Sequence, residues 1–476
     1  MSFTAPEFIL FLAVVLILCR AAPQRWRWAV LLPASYFFYA CHNVWLLSLI
    51  LLTTMTSYLC AIRMEKTASK GKRRAALAVD LAVCLGILFV FKYLDFALGG
   101  IFDLLRLFGG QGKFDGFHLL LPMGISFYVF QTLSYTIDVY RGTVPAEKHL
   151  GYFALFVVFF PQLVAGPIER PGDLLPQLRR APNPEADDVA QGLRYLVRGY
   201  AKKVLIADYL ARFVDAAYGD ASNSGGSALA VATVLFAVQI YCDFSGYSDI
   251  ALGCARLMGI RLTENFSRPY DAVTVRDFWR RWHISLTRWF TDYLYIPLGG
   301  SRKGPARQCV NILIVFLVSG LWHGANITFL IWGGLHGLYL AAETLLPGEG
   351  EERPGRPPLR RAVTLTLVCF AWVFFRAENL PHAIQVLQAI ATDFRPENAM
   401  TGLTMDLPEL LTALALLALL PMLEALPALT GDGTKETALR ANRAVTLYFL
   451  LITSVVLCRC IVLTQGGDTA FLYFQF

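Results

Sequence analysis

Apolar stretches of about 20 residues recur along this chain, and the short gaps between them are basic: Arg20, Arg25 and Arg27, then 63–74, then Arg356 to Arg361, then Lys435 to Arg443. Segments of that length cross the hydrocarbon core of a bilayer as helices, because a helix satisfies its own backbone polar groups where water cannot. The chain therefore reads as an all-α, polytopic integral membrane protein with a single membrane domain over residues 1–476. Only 16% of its residues are charged and 56% are hydrophobic, where a soluble chain carries about a quarter charged. Placing the basic gaps in the cytoplasm accounts for the net charge of +7 without a nucleic acid partner, and leaves membrane lipid as the surroundings.

The first crossing falls at 3–19, and the lack of a basic start and of a small-residue cleavage site argues that it is retained. Residues 29–62 leave and return as a hairpin with its outer turn at His42-Asn43, and 76–97 cross outward. The 119–140 stretch mixes apolar runs with Pro122, Gly124, Gln131 and Thr132, which suits a broken, buried helix. Residues 151–165 are too short to span and read as re-entrant, which calls for a tunnel or cavity to satisfy irregular backbone at membrane depth. Further spans are expected near 192–213, 228–254, 308–322, 325–345, 362–379, 407–429 and 445–464, about ten or eleven crossings in all by the 20-residue criterion. The 276–298 stretch interleaves arginines with aromatics and reads as an amphipathic helix at headgroup level, where cytoplasmic water meets the membrane. The ten cysteines have neither metal-ligand nor disulfide spacing and read as small core residues.

The chemistry centres on His323, in Gly320-Leu321-Trp322-His323-Gly324-Ala325-Asn326 between two apolar runs. An imidazole there is costly unless it is hydrogen-bonded or lines a polar path, and a neutral ring can take a proton from a hydroxyl nucleophile. Helix packing is the alternative, and it weighs as heavily as function for His336 in Gly333-Gly334-Leu335-His336-Gly337. His283 would stand at the aqueous boundary. Trp282, Trp322 and Asn326 are candidates for lining the path, with Trp282, Asn326 or His283 as donors to a developing oxyanion. Asp243 and Asp249, six residues apart, do not share a helix face and are expected to cap helices, to pair with Arg256 or another arginine, or to orient substrate. No histidine spacing specifies a metal, and neither a GxSxG elbow nor a phosphate loop is present.

The runs Asn265-Phe266-Ser267-Arg268-Pro269-Tyr270, Phe278-Trp279-Arg280-Arg281-Trp282-His283-Ile284-Ser285-Leu286, Asp292-Tyr293-Leu294-Tyr295-Ile296-Pro297-Leu298-Gly299-Gly300 and Leu321-Trp322-His323-Gly324 resemble the membrane-bound O-acyltransferase family. Earlier and later segments extend the likeness: Pro122-Met123-Gly124-Ile125-Ser126-Phe127, Ala165-Gly166-Pro167-Ile168 and Phe471-Leu472-Tyr473-Phe474-Gln475-Phe476. Within the family the chain is most similar to the bacterial branch that acetylates alginate. The resemblance implies a central tunnel with a thioester donor on the cytoplasmic side, and His323 and His283 as the buried active-site histidine and its second partner. It also implies acetyl-CoA as donor, with no tightly bound cofactor, in a multi-pass protein of the bacterial cytoplasmic membrane. A glycan acceptor is expected, reached directly or through a separate extracytoplasmic acetyltransferase. Arg276, Arg280, Arg281 and Arg288 are then candidates for the donor phosphates. D-alanyl transfer from a carrier-protein thioester, and a transporter or scaffold role, are the alternative readings.

Overall fold

A computed structural model describes residues 1–110, 114–164, 166–346 and 357–425. The expected span at 445–464, the basic gap 435–443, Cys458 and Cys460, the 471–476 motif, Ala165 and most of the 347–358 loop lie outside the described residues. Among the described residues all regular structure is helical, and the chain divides into two compact units.

The first unit comprises 1–192 with 254–263. It contains α1 (Pro6–Ala21), α2 (Arg27–Ala40), α3 (Leu47–Lys66), α4 (Lys70–Leu88), α5 (Leu94–Leu107), α6 (Ile125–Arg141), α7 (Leu150–Val158), α8 (Phe160–Leu163), α9 (Pro171–Arg180) and the start of α10 (Ala186–Tyr200). The α2–α3 turn falls where His42-Asn43 places it, and the Asn43 side chain accepts the Trp45 N–H at 2.9 Å to start the return. Residues 119–124 are non-helical and α6 follows, buried on almost every face. Its polar side chains are absorbed by carbonyls: Thr132, Ser134 and Thr136 donate back along the helix, and Gln131 Nε2 donates to Phe156 O at 2.6 Å. Buried α7 and α8 have 9 and 4 residues, too short to span, as a re-entrant segment requires.

The second unit comprises 193–253 and the described residues from 264 onward. Here α10 runs through a wide π turn (Ala201–Ala207) into α11 (Asp208–Gly219), followed by most of α12 (Gly226–Leu257), then α13 (Val275–Arg281), α14 (Ile284–Phe290), α15 (Pro305–His323), α16 (Ile327–Leu345), α17 (Pro357–Arg376), α18 (Leu380–Thr392), α19 (Ala399–Gly402) and α20 (Leu407–Ala425). The single amphipathic helix expected over 276–298 is instead two seven-residue helices and a π turn (Thr291–Tyr295). The cause is backbone competition. Ser267 N donates to Arg281 O at 3.0 Å, and Asn265 takes the N–H groups of Ile284 and Ser285 on its carbonyl and side-chain oxygens, so the helical ladder is interrupted at Trp282-His283.

Among the described residues, six helical segments are long and apolar enough to cross a membrane: Val44–Lys66, Lys70–Leu107, Gly226–Leu257, Pro305–His323, Pro357–Arg376 and Leu407–Ala425. The count is below the expected ten or eleven: the expected 445–464 crossing lies outside the described residues, and several others are shorter helices, such as α1 with 16 residues and α2 with 14.

Candidate active site

His323 is the last residue of α15, and α16 turns back against α15 after three residues. Glycines set how close the two helices come. A Cβ on Gly320 would lie 2.2 Å from Phe329 O, and one on Gly333 2.2 Å from Phe316 O, so any larger residue would push the hairpin apart. The close approach seats the His323 ring, 5% exposed, edge-on to Trp322 and Trp332, each 4.9 Å away between centroids, and to Phe375 of α17 at 5.5 Å. An imidazole at a helix C-terminus also lies where the backbone dipole favours positive charge, which develops on the ring when it takes a proton.

One face of α15 leads to that ring. Gln308, Ile312, Val315 and Ser319 repeat at helical spacing, His323 is the next residue on the same face, and the first four line a cavity of about 340 Å³. The cavity follows α15 for about 16 Å at the helical rise per residue. Its other walls include Trp279 of α13, Phe290 of α14 and Leu340 of α16, with Arg276 and Arg280 supplying positive charge. The carboxylate of Glu343 fixes α13 by accepting the Val275 and Arg276 N–H groups at 2.7 and 3.0 Å, while Thr274 Oγ1 accepts that of Asp277 at 3.0 Å.

The three histidines form an aromatic chain. His283, 1% exposed, lies 6.1 Å from Trp322, which neighbours His323; Trp332 then bridges to His336 at 5.2 Å. His283 is therefore buried and not at an aqueous boundary, because the break between α13 and α14 turns its ring inward against Phe244 at 4.7 Å. Burial pushes its imidazole down to about 3, with a backbone hydrogen bond acting weakly the other way, so the ring is neutral near pH 7. His336 is held by packing, and its Nδ1 accepts the Trp279 Nε1–H at 3.2 Å, which fixes a cavity wall. Trp282 stacks on Phe278 at 5.4 Å and packs against Trp372 at 5.2 Å, between the site and the core.

Other expected residues have different tasks. Asn326 accepts the Thr328 N–H at 3.1 Å and donates one amide hydrogen to Glu378 O at 2.7 Å, so its amide caps α16 and ties down the 377–379 turn. Asp249 pairs with Arg198 and with Lys202 at 3.3 Å, and Asp243 with Lys203, whereas Arg256 pairs with Asp188. The aspartates serve a buried charge network with Arg198, Lys202 and Lys203 as partners. Of the four arginine candidates, Arg276 and Arg280 line the cavity; Arg281 is tied to Asp277 at 2.8 Å, and exposed Arg288 is not among the lining residues. Trp332, Phe375, Ser319 and Glu343 were not singled out by sequence reading. The stripe 308, 312, 315, 319 and 323 was the available signal. Among the described residues no three His, Cys, Asp or Glu side chains are placed to hold a metal ion.

The sequence comparisons bear on the same segments. The profile described as MBOAT, membrane-bound O-acyltransferase family, matches residues 145–347, which contain α13 to α16. The chain is 41% identical to the probable alginate O-acetylase AlgI of Pseudomonas putida over 82% of its length and 80% of that protein. It is 36% identical to the peptidoglycan O-acetyltransferase of Helicobacter pylori over 77% of this chain and 73% of that protein. Identity to the teichoic acid D-alanyltransferase of Bacillus subtilis is 23%, over 56% of this chain and 71% of that protein. With its apolar spanning helices and its buried histidine cluster, the chain is a multi-pass membrane enzyme that belongs to the membrane-bound O-acyltransferase family.

Proposed function

We propose that the protein moves acetyl groups from acetyl-CoA, a cytoplasmic thioester donor, toward hydroxyls of a secreted or cell-surface polysaccharide of the alginate kind, within the bacterial cytoplasmic membrane. The observation that carries this reading is the continuous face of α15, where a largely apolar cavity flanked by Arg276 and Arg280 ends one helical turn from His323. A pantetheine arm is a thin chain with a phosphate-bearing end, and this slot has the matching form and charge. By their names the AlgI relatives acetylate alginate and the Helicobacter pylori relative peptidoglycan, which favours acetyl and a glycan.

In this reading the neutral His323 imidazole takes the proton of an acceptor hydroxyl as its oxygen attacks the thioester carbonyl carbon. The C–S bond then breaks, the imidazolium returns its proton to the leaving sulfur, and ester and thiol are the products. His283, kept neutral by burial, acts beside it as an N–H donor and not as a cation. The acetylated product identifies the acceptor, whether a glycan hydroxyl or a hydroxyl of a separate extracytoplasmic acetyltransferase.

The test reconstitutes the protein in lipid vesicles with radiolabelled acetyl-CoA, alginate and extracytoplasmic proteins, comparing wild type with His323→Ala at equal folded amounts. Acetyl transfer is expected in the wild type and should fall at least about 100-fold in H323A, the lower range for loss of a general base. Consumption of a D-alanyl carrier thioester with acetyl-CoA untouched would overturn the donor assignment. Unchanged transfer in H323A would overturn the role of His323.

A further inference from the structure

The first unit holds a cavity of its own, of about 810 Å³, which shares no lining residue with the cavity along α15. It lies between the C-terminal half of α1, the start of α2, the 181–189 segment and the 257–260 turn, with Leu16, Leu31, Val189 and Leu257 among its apolar walls and Arg20 and Arg27 at its polar edge. Arg27 is only 8% exposed, yet its guanidinium donates to the carbonyls of Ala181 at 2.7 Å and Pro182 at 3.0 Å and to Asn183 Oδ1, all neutral acceptors. Its Nε has no hydrogen-bond partner among the described residues. The buried positive charge is thus hydrogen-bonded but not neutralised, and exposed Arg20 adds to it. The outward face of α1 is apolar, with Leu10 69% and Ile17 67% exposed, which fits a helix in contact with acyl chains. Positive-inside reasoning puts the 20–27 gap at the cytoplasmic headgroup level.

We infer that this cavity binds one acyl chain of an anionic glycerophospholipid whose phosphate headgroup meets the charge of Arg20 and Arg27. A zwitterionic lipid brings its own cation to the same edge and gains less. The acyl chain fills apolar space that water would occupy at a cost. A basic residue near the membrane surface contributes about 1 kcal/mol toward an anionic headgroup, so the preference for phosphatidylglycerol over phosphatidylcholine is about fivefold for one such side chain.

Native mass spectrometry of the full chain, purified in detergent with equal amounts of phosphatidylglycerol and phosphatidylcholine of matched chains, tests this. Wild type should retain one lipid saturably, with phosphatidylglycerol favoured about fivefold or more. Arg20→Gln should lower that preference, while Leu16→Trp or Val189→Trp, each of which adds bulk to a lining residue, should lose the retained lipid whatever its headgroup. Unfolding temperatures in phosphatidylcholine, unchanged within a few degrees, identify the folded variants on which the comparison rests. Equal retention of the two lipids by wild type, or a preference unmoved by R20Q, would overturn the proposal. So would unchanged retention by both folded tryptophan variants, displacement of the lipid by glycerol phosphate alone, or a second protein chain found in place of the lipid.

Discussion

His283 combines two costs in one residue: a backbone in the left-handed region, at φ +44°, and a side chain removed from water. Left-handed geometry costs a residue other than glycine about 1–2 kcal/mol, which the fold holds in place through Asn265 and the packing around Phe244. Because burial lowers the folded pKa to about 3 from an ordinary 6.5, the unfolded chain binds the extra proton between those values. This residue's contribution to stability is thus fully present above pH 6.5 and is lost as pH falls toward 3. Thermal unfolding measured across that window should show a steeper acid decline in wild type than in His283→Asn, whose side chain tolerates the backbone but does not titrate there. Equal slopes would remove His283 as the source. His323 was legible in the sequence because an imidazole in an apolar run is expensive. Trp332 and Phe375 were not, since an aromatic in such a run is ordinary core and only three packed helices make these two the walls around His323. The cap that Asn326 forms had a local signal, a cap residue ahead of an apolar run.

The crossing of α10 and its π turn over α12 shows how elements bury charge. Gly199 and Gly246 face each other so closely that a Cβ on the first would lie 2.6 Å from the carbonyl oxygen of the second. That approach lets Lys202 and Lys203, both 3% exposed, meet carboxylates of α12. Lys203 bonds Asp243 and, at 2.9 Å, Asp208; Lys202 reaches Asp249 and, at 3.9 Å, Glu424 of α20. Removing one partner of a buried pair strands the other, so Lys203→Met should destabilise the protein by about 3–5 kcal/mol. Adding Asp243→Leu should recover part of that loss, and a thermal-unfolding cycle of the two variants checks it; strictly additive losses would mean the pair does not act as a unit. The two aspartates could be seen in the sequence as residues needing partners, but their partners could not. Lys203 is 40 residues away from Asp243, and the π turn that aims it leaves no periodic trace. The same limit explains the 276–298 stretch, where interleaved arginines and aromatics suggested one helix and the irregular 265–267 segment takes the backbone groups that would continue it.

For the second unit, the placement of its reactive ring along α15 constrains how a membrane enzyme of this kind can serve both sides. The helix begins beside the basic turn holding Arg302 and Lys303, carries Arg307 in its first turn, and ends at His323, 18 residues after its start and about 27 Å away at the helical rise, close to the roughly 30 Å of a hydrocarbon core. Positive-inside reasoning assigns the basic end to the cytoplasm, so His323 belongs near the opposite face, and the 377–379 turn that Asn326 holds at that end belongs with it. Under the proposed function, such an arrangement would give the donor an entry along the cavity and the acceptor a short approach from outside, and would avoid moving a charged coenzyme across the bilayer. It predicts opposite sidedness for two exposed positions, Ser301 and Glu378. In a chain whose ten cysteines are replaced, Ser301→Cys should react with a membrane-impermeant maleimide only in inside-out vesicles, and Glu378→Cys only in right-side-out vesicles. Labelling of both from the same side would mean that α15 does not cross. The cavity would then no longer connect a cytoplasmic donor to an external acceptor, even if acetyl transfer itself were intact.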